Sequence, residues 1–173
     1  MRIRLFTLIT AVLFSFVLFC GCSKEDKSSL NKYLGDYSYS GSAVCMVYEP
    51  MEGETDDSGN PLYGVQYREI TDYDGLVVSG NTFLIYFYSS MDNRSAQVTA
   101  AMEDLSVAYK EKMNIIMLDA MVYRDLMGKY EIEAVPEFVL IKPGQADKKF
   151  DCSKSDYWTI DDVVLWLAEN GIS

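Results

Sequence analysis

The amino-acid sequence predicts an α/β fold: a central mixed sheet flanked by helices, preceded by an N-terminal extension that contains a strand of its own. Three observations carry this. Phe83-Leu-Ile-Tyr-Phe-Tyr88 is almost wholly apolar, as a strand covered on both faces must be. The stretch after it, from Ser95 to about Lys112, repeats apolar residues with a helical period: Val98, Ala101, Met102, Leu105 and Tyr109 fall on one face. A second buried strand, Asn114-Ile-Ile-Met-Leu118, then follows within the short distance a strand–helix–strand unit allows.

The remaining elements read in order. Residues 43–48 form a strand. Residues 49–61 are acidic and carry Gly53, Gly59 and Pro61, which reads as a solvated loop; the acidic spacing does not match a calcium-binding loop. Residues 63–70 alternate and form the next strand. Thr71 or Asp72 caps a short helix that runs to about residue 79. Another short helix spans residues 123–129. Residues 138–142 and 148–152 make a hairpin around the turn signal Pro143-Gly144. Thr159-Ile-Asp-Asp162 resembles a capping box with Asp in place of Glu, opening a last helix whose Ile160, Val163, Val164 and Leu167 share a face. Gly171 stands where a helix-terminating glycine belongs.

The N-terminus carries an address. Arg2 and Arg4 precede residues 5–19, which are apolar apart from Thr7, Thr10 and Ser15. That run is shorter than the roughly 20 residues a spanning helix needs, and its flanks suit a signal peptide. Phe19-Cys-Gly-Cys22 resembles a bacterial lipoprotein box, with Cys22 as the lipidated residue. The expected organisation is a lipoprotein signal peptide over 1–21, a Ser- and Lys-rich tether over 22–42, an extension over 43–61 and the α/β domain over 62–173. Tyr37 and Tyr39 mark the distal end of the tether as packed on something. The implied location is the extracytoplasmic side of a bacterial cell envelope, held to the membrane through lipidated Cys22.

Composition excludes several chemistries. The chain has a net charge of −11, and removal of Arg2 and Arg4 with the signal makes it more negative by two. Such a surface repels nucleic acid and anionic headgroups, so no nucleic acid is expected as a partner. There is no histidine. Ser-His-Asp and Cys-His catalysis and imidazole metal ligation are therefore unavailable. Of the four cysteines, Cys20 belongs to the signal and Cys22 to the lipid box, leaving Cys45 and Cys152, too few for a structural zinc site. Neither a metal nor a cofactor is expected.

Residues 83–152 carry one further pattern. The strand Phe83–Tyr88 runs into Ser89-Ser-Met-Asp-Asn-Arg-Ser95. The helix segment Met102-Glu-Asp-Leu-Ser-Val-Ala-Tyr109 and the strand at 115–118 follow, then Lys129-Tyr-Glu-Ile132 and Ala134-Val-Pro136 before the strand Phe138-Val-Leu-Ile141. This pattern resembles a thioredoxin over about residues 62–173. The resemblance implies a thioredoxin-like fold and a cis bond at Val135-Pro136. It also implies a partner-binding groove made by Ser89, Ser90, Met91, Asp92, Ser95, Val135, Pro136 and Cys152, in which the Val135 backbone pairs with an extended peptide. The chain departs from the family at the redox centre. Where Cys-x-x-Cys would stand, it reads Asp92-Asn-Arg-Ser95, and a serine hydroxyl cannot form a mixed disulfide. Asp92 reads as a helix cap rather than a base, and Tyr86 stands where the family often buries an acid. Arg94 reads as a solvated side chain.

Three readings of Cys152 stay open at this point: a disulfide to Cys45, an inert buried thiol, or a single reactive thiol bordering the groove. The functional expectation is an envelope protein, redox-inactive at the usual site, that binds an unidentified envelope protein or peptide. The alternatives are an atypical thiol–disulfide oxidoreductase using Cys152 with Cys45, and a purely structural envelope domain. The absence of Cys-x-x-Cys and of histidine weighs against an enzyme.

Overall fold

The computed structural model describes residues 30–152 and 157–173. The signal peptide, Cys22 and the first part of the tether lie outside the described residues. The described chain forms β1 (Leu34–Tyr37), β2 (Ala43–Thr55), β3 (Pro61–Ile70), α1 (Tyr73–Val77), β4 (Phe83–Tyr88), α2 (Asn93–Thr99), α3 (Met102–Ala108), β5 (Asn114–Asp119), α4 (Arg124–Lys129), β6 (Glu137–Ile141), β7 (Lys148–Phe150) and α5 (Ile160–Glu169).

The strands join in one seven-stranded sheet ordered β1-β3-β2-β5-β4-β6-β7. Only the central β4–β5 pair is parallel; the other neighbours are antiparallel. Because side chains alternate across a strand, β4 feeds both cores. Leu84 and Tyr86 enter the core that Val98, Met102, Leu105, Val163 and Leu167 close from α2, α3 and α5. Phe83, Ile85 and Phe87 enter the opposite core, closed by Leu30, Leu76 and Ile132. This double coverage explains the apolar run of β4.

Three expectations are corrected. The tether was expected to reach residue 42, but Leu30 and Leu34 are buried and β1 pairs with β3, so residues 30–37 belong to the domain. The acidic stretch 49–61 was expected to be a loop; instead β2 continues to Thr55 and pairs with β3 as far as Thr55↔Pro61. Pro50 is tolerated there because β2 bonds β5 only through Ala43–Met46, which leaves its outer half at an edge. The turn is fastened by Asp56, whose carboxylate accepts from the amides of Ser58 (2.8 Å) and Asn60 (2.9 Å). Third, the helix expected over residues 95–112 is two helices. Ala101 N bonds Val98 O at 2.9 Å, a tightened turn at the break. The Tyr86 hydroxyl donates to the Ser95 carbonyl at 2.8 Å, and a side chain inserted into the ladder is an established cause of helix breaks. The apolar face continues across the break through Val98, Met102 and Leu105.

Other expectations hold. Asp72 caps α1 by accepting from Gly75 N. Thr159 and Asp162 form the capping box of α5. Gly144 and Gly171 adopt positive φ at the turn and at the helix end. The Val135-Pro136 bond is cis.

Candidate functional site

The end of β4, the start of α2 and the loop before β6 meet at one end of the sheet. Asp92 is the N-cap of α2, its carboxylate accepting from Ser95 N at 2.6 Å. This satisfies an amide that a helix start leaves without a partner, and sets a negative charge at the favourable end of the helix. Ser95 is fully buried at 0 % exposure. Its hydroxyl accepts from Ser89 N at 3.2 Å and its carbonyl accepts from Tyr86. The amide, the carbonyl and the hydroxyl oxygen of Ser95 are thus engaged inside the protein, and Ser89 is buried as well. Burial pushes the Tyr86 hydroxyl up to about 12, so it acts here as a neutral donor.

The structure therefore divides the predicted groove residues. Ser89 and Ser95 lie beneath the surface and hold the turn together. Ser90, Met91 and Asp92 reach the surface, with Met91 86 % exposed. Val135, whose neighbour Pro136 is itself buried, stands between two cavities. One, of about 520 Å³, is lined by Arg94, Glu131, Glu137, Lys149, Cys152 and Trp158. The other, of about 510 Å³, is lined by Met91, Met121, Met127 and Arg124 together with Ser89 and Asp92. Glu133, Ala134 and Val135 line both.

Cys45 and Cys152 are free thiols, so of the three readings left open for Cys152 the structure does not form the disulfide to Cys45. The reason is topological. Cys45 sits on β2 and contributes to one core, whereas Cys152 follows β7 and packs against the other. Strands β5, β4 and β6 lie between, four strand spacings of about 4.8 Å each, against the roughly 7 Å between Cα atoms that a disulfide tolerates. Pairing of the two sulfurs in an oxidoreductase cycle fails for the same reason. Neither thiol is activated. Burial pushes Cys45 up to about 12. Burial also raises Cys152, and the Glu137 carboxylate against the thiol raises it further, only partly opposed by Arg94. Burial moves Glu137 itself above the usual carboxylate range.

Sequence reasoning missed four residues here. Arg94 is not a solvated side chain: its guanidinium lies 4.4 Å from the Trp158 ring centroid and donates to the Trp158 carbonyl at 3.3 Å. Trp158, Glu137 and Met121 come from three separate segments, and no local pattern marks them. Only the tertiary arrangement brings them to Val135.

Comparison with known proteins gives consistent likenesses. Residues 65–161 match the family model described as Thioredoxin. The protein "Thioredoxin Y1, chloroplastic" of Arabidopsis thaliana is 28 % identical over 78 residues, which cover 45 % of this chain and 45 % of that protein. For "Thioredoxin Y2, chloroplastic" of the same plant the identity is 28 % over 78 residues, covering 45 % and 47 %. The chain thus spans about half the length of the curated relatives it matches. Among solved structures, mitochondrial thioredoxin 3 from Saccharomyces cerevisiae, in its oxidised form, is 23 % identical with a TM-score of 0.44, covering 57 % of this chain and 82 % of that one.

Proposed function

The chain belongs to the thioredoxin family, and from that premise we propose that it is a lipid-anchored, extracytoplasmic member, redox-inactive at the usual site, that binds an envelope protein or peptide along Val135. The observation that carries this reading is the sulfur-free start of α2. Asp92 and Ser95 occupy the two positions where a redox dithiol would stand, and both are committed to hydrogen bonds within the turn. A thioredoxin-type exchange needs an attacking thiolate and a resolving thiol. Among the described residues, Cys45 and Cys152 lie in separate cores with their thiols held protonated. Binding is supported by the cavities on both sides of Val135 and by exposed Met91, an adaptable apolar contact. The lipid anchor rests on Phe19-Cys-Gly-Cys22 and the apolar run before it.

The test of inactivity is insulin reduction with dithiothreitol as the electron source. The protein is expected to leave the rate at that of dithiothreitol alone. Acceleration that disappears in Cys152→Ser would overturn the reading. The anchor is tested by mass spectrometry of the native N-terminus, expected to show an acylated cysteine at position 22; a free or unprocessed terminus would remove it.

A further inference from the structure

The two cavities beside Val135 differ in chemistry, and the difference identifies what the groove takes. On one side stand four carboxylates: Glu131, Glu133, Glu137 and Asp151. Among the described residues two cations also line that cavity, each engaged with neutral groups of the protein and outnumbered by the carboxylates. Arg94 is held by the ring and carbonyl of Trp158, and Lys149 donates to the Glu131 carbonyl at 2.8 Å. On the other side stand three methionines, Met91, Met121 and Met127, together with Arg124, Asp92 and Glu133, the last of which lines both cavities; Met91 and Met121 are exposed. Val135 is the ridge between the two sides.

We infer that the occupant of this groove is a basic, extended peptide segment, which places a lysine or arginine in the carboxylate cavity and the adjacent apolar side chain in the methionine cavity. The inference rests on the groove reading above and specifies its partner. An extended chain sends successive side chains to opposite sides. A strand lying along Val135 therefore drops neighbouring residues into different cavities. Charge complementarity selects the sign: the chain carries −11 overall, and among the described residues four carboxylates line that cavity against two cations. Flexible thioethers fit apolar side chains of varied shape, so the second cavity asks for hydrophobicity more than for one particular residue.

The test uses the full chain in neutral detergent micelles and four fluorescein-labelled peptides of nine residues. Each is built of Gly and Ser around a central Leu-Lys, Leu-Glu, Ser-Lys or Ser-Ser. Fluorescence anisotropy should show Leu-Lys binding at least about tenfold tighter than Leu-Glu at 0.1 M salt, with the gap narrowing at 0.5 M as screening shortens the reach of the carboxylates. Glu131→Gln with Glu133→Gln should reduce that gap to under about threefold while keeping the preference for Leu-Lys over Ser-Lys. Met121→Asp should do the reverse. Melting curves of each variant establish that it is folded. Equal binding of Leu-Lys and Leu-Glu, or a gap that survives Glu131→Gln with Glu133→Gln, overturns the inference. Amide shifts at Ser90, Met91 and Val135 on adding peptide separate the two levels. Shifts without charge preference overturn only the basic partner, whereas failure of all four peptides to bind overturns the groove reading as well.

Discussion

The start of α2 and the corner at Cys152 both border Val135, yet they are built on opposite electrostatic plans. The start of α2 offers a helix N-terminus, the setting that lowers a thiol pKa, and the chain fills it with a carboxylate and a hydroxyl. The Cys152 corner offers a sulfur, and the chain surrounds it with apolar burial and the Glu137 carboxylate, the setting that raises a thiol pKa. The two halves of a reactive cysteine, the sulfur and the field that ionises it, are present in one protein but at different places. In this fold the sulfur and the field that would ionise it are thus set apart.

Four variants break or sharpen this comparison, in falling order of effect. Phe138 stacks on Tyr86 and meets Phe150 and Trp158 edge-on, so it ties the α2 side to the Cys152 side. Phe138→Ala should destabilise the fold by about 3–5 kcal/mol in urea unfolding; a loss below about 1 kcal/mol would mean the two corners are supported independently. Next, Asp92→Cys with Ser95→Cys puts sulfur into the favourable field. At pH 7 iodoacetamide should modify the new thiol at position 92 roughly 100-fold faster than Cys152. Comparable rates would show that the helix start has lost its influence along with its thiols.

Glu137→Gln removes the carboxylate that opposes ionisation of Cys152, and alkylation of Cys152 at pH 9 should rise by roughly tenfold. The same variant has a pH signature. The folded-state pKa of Glu137 is raised, so the folded protein holds the proton more tightly than the unfolded chain does. Its contribution to stability is then fully present below the ordinary carboxylate pKa and is lost as pH rises through the raised value. Glu137→Gln should therefore gain on the wild-type protein as pH rises from the ordinary carboxylate pKa, about 4, through that raised value. A constant difference across that range would refute the burial argument. The smallest change is Asp92→Ala, expected to cost about 1 kcal/mol in chemical unfolding by uncapping α2.

Those residues also show what could be read in advance. The apolar strands, the helix caps at Asp72, Asp92 and Thr159 and the cis bond before Pro136 were legible because each is a local or family-borne signal. Loss of the redox dithiol was legible because it is a matter of identity at two positions. The outer half of β2 was not, since Glu49-Pro-Met-Glu-Gly-Glu-Thr55 has loop composition and becomes a strand only by pairing with β3. The separation of Cys45 from Cys152 was hidden for a related reason. Sequence distance says nothing about which face of a sheet a residue enters, and a disulfide depends on that. The cavity partners Glu137, Met121 and Trp158 arrive from different elements, and Arg94 meets Trp158 across 64 positions of chain.

The burial of Leu30 sets a leash. On the proposed lipid at Cys22, the covalent path to Leu30, the first buried residue among those described, is eight positions long, which spans at most roughly 28 Å fully drawn out. A tether ending at residue 42 would have allowed more than twice that. With that proposed lipid in place, the domain would be confined to a thin layer above the bilayer, and a partner embedded in or resting on the same membrane would meet it by search in two dimensions instead of three.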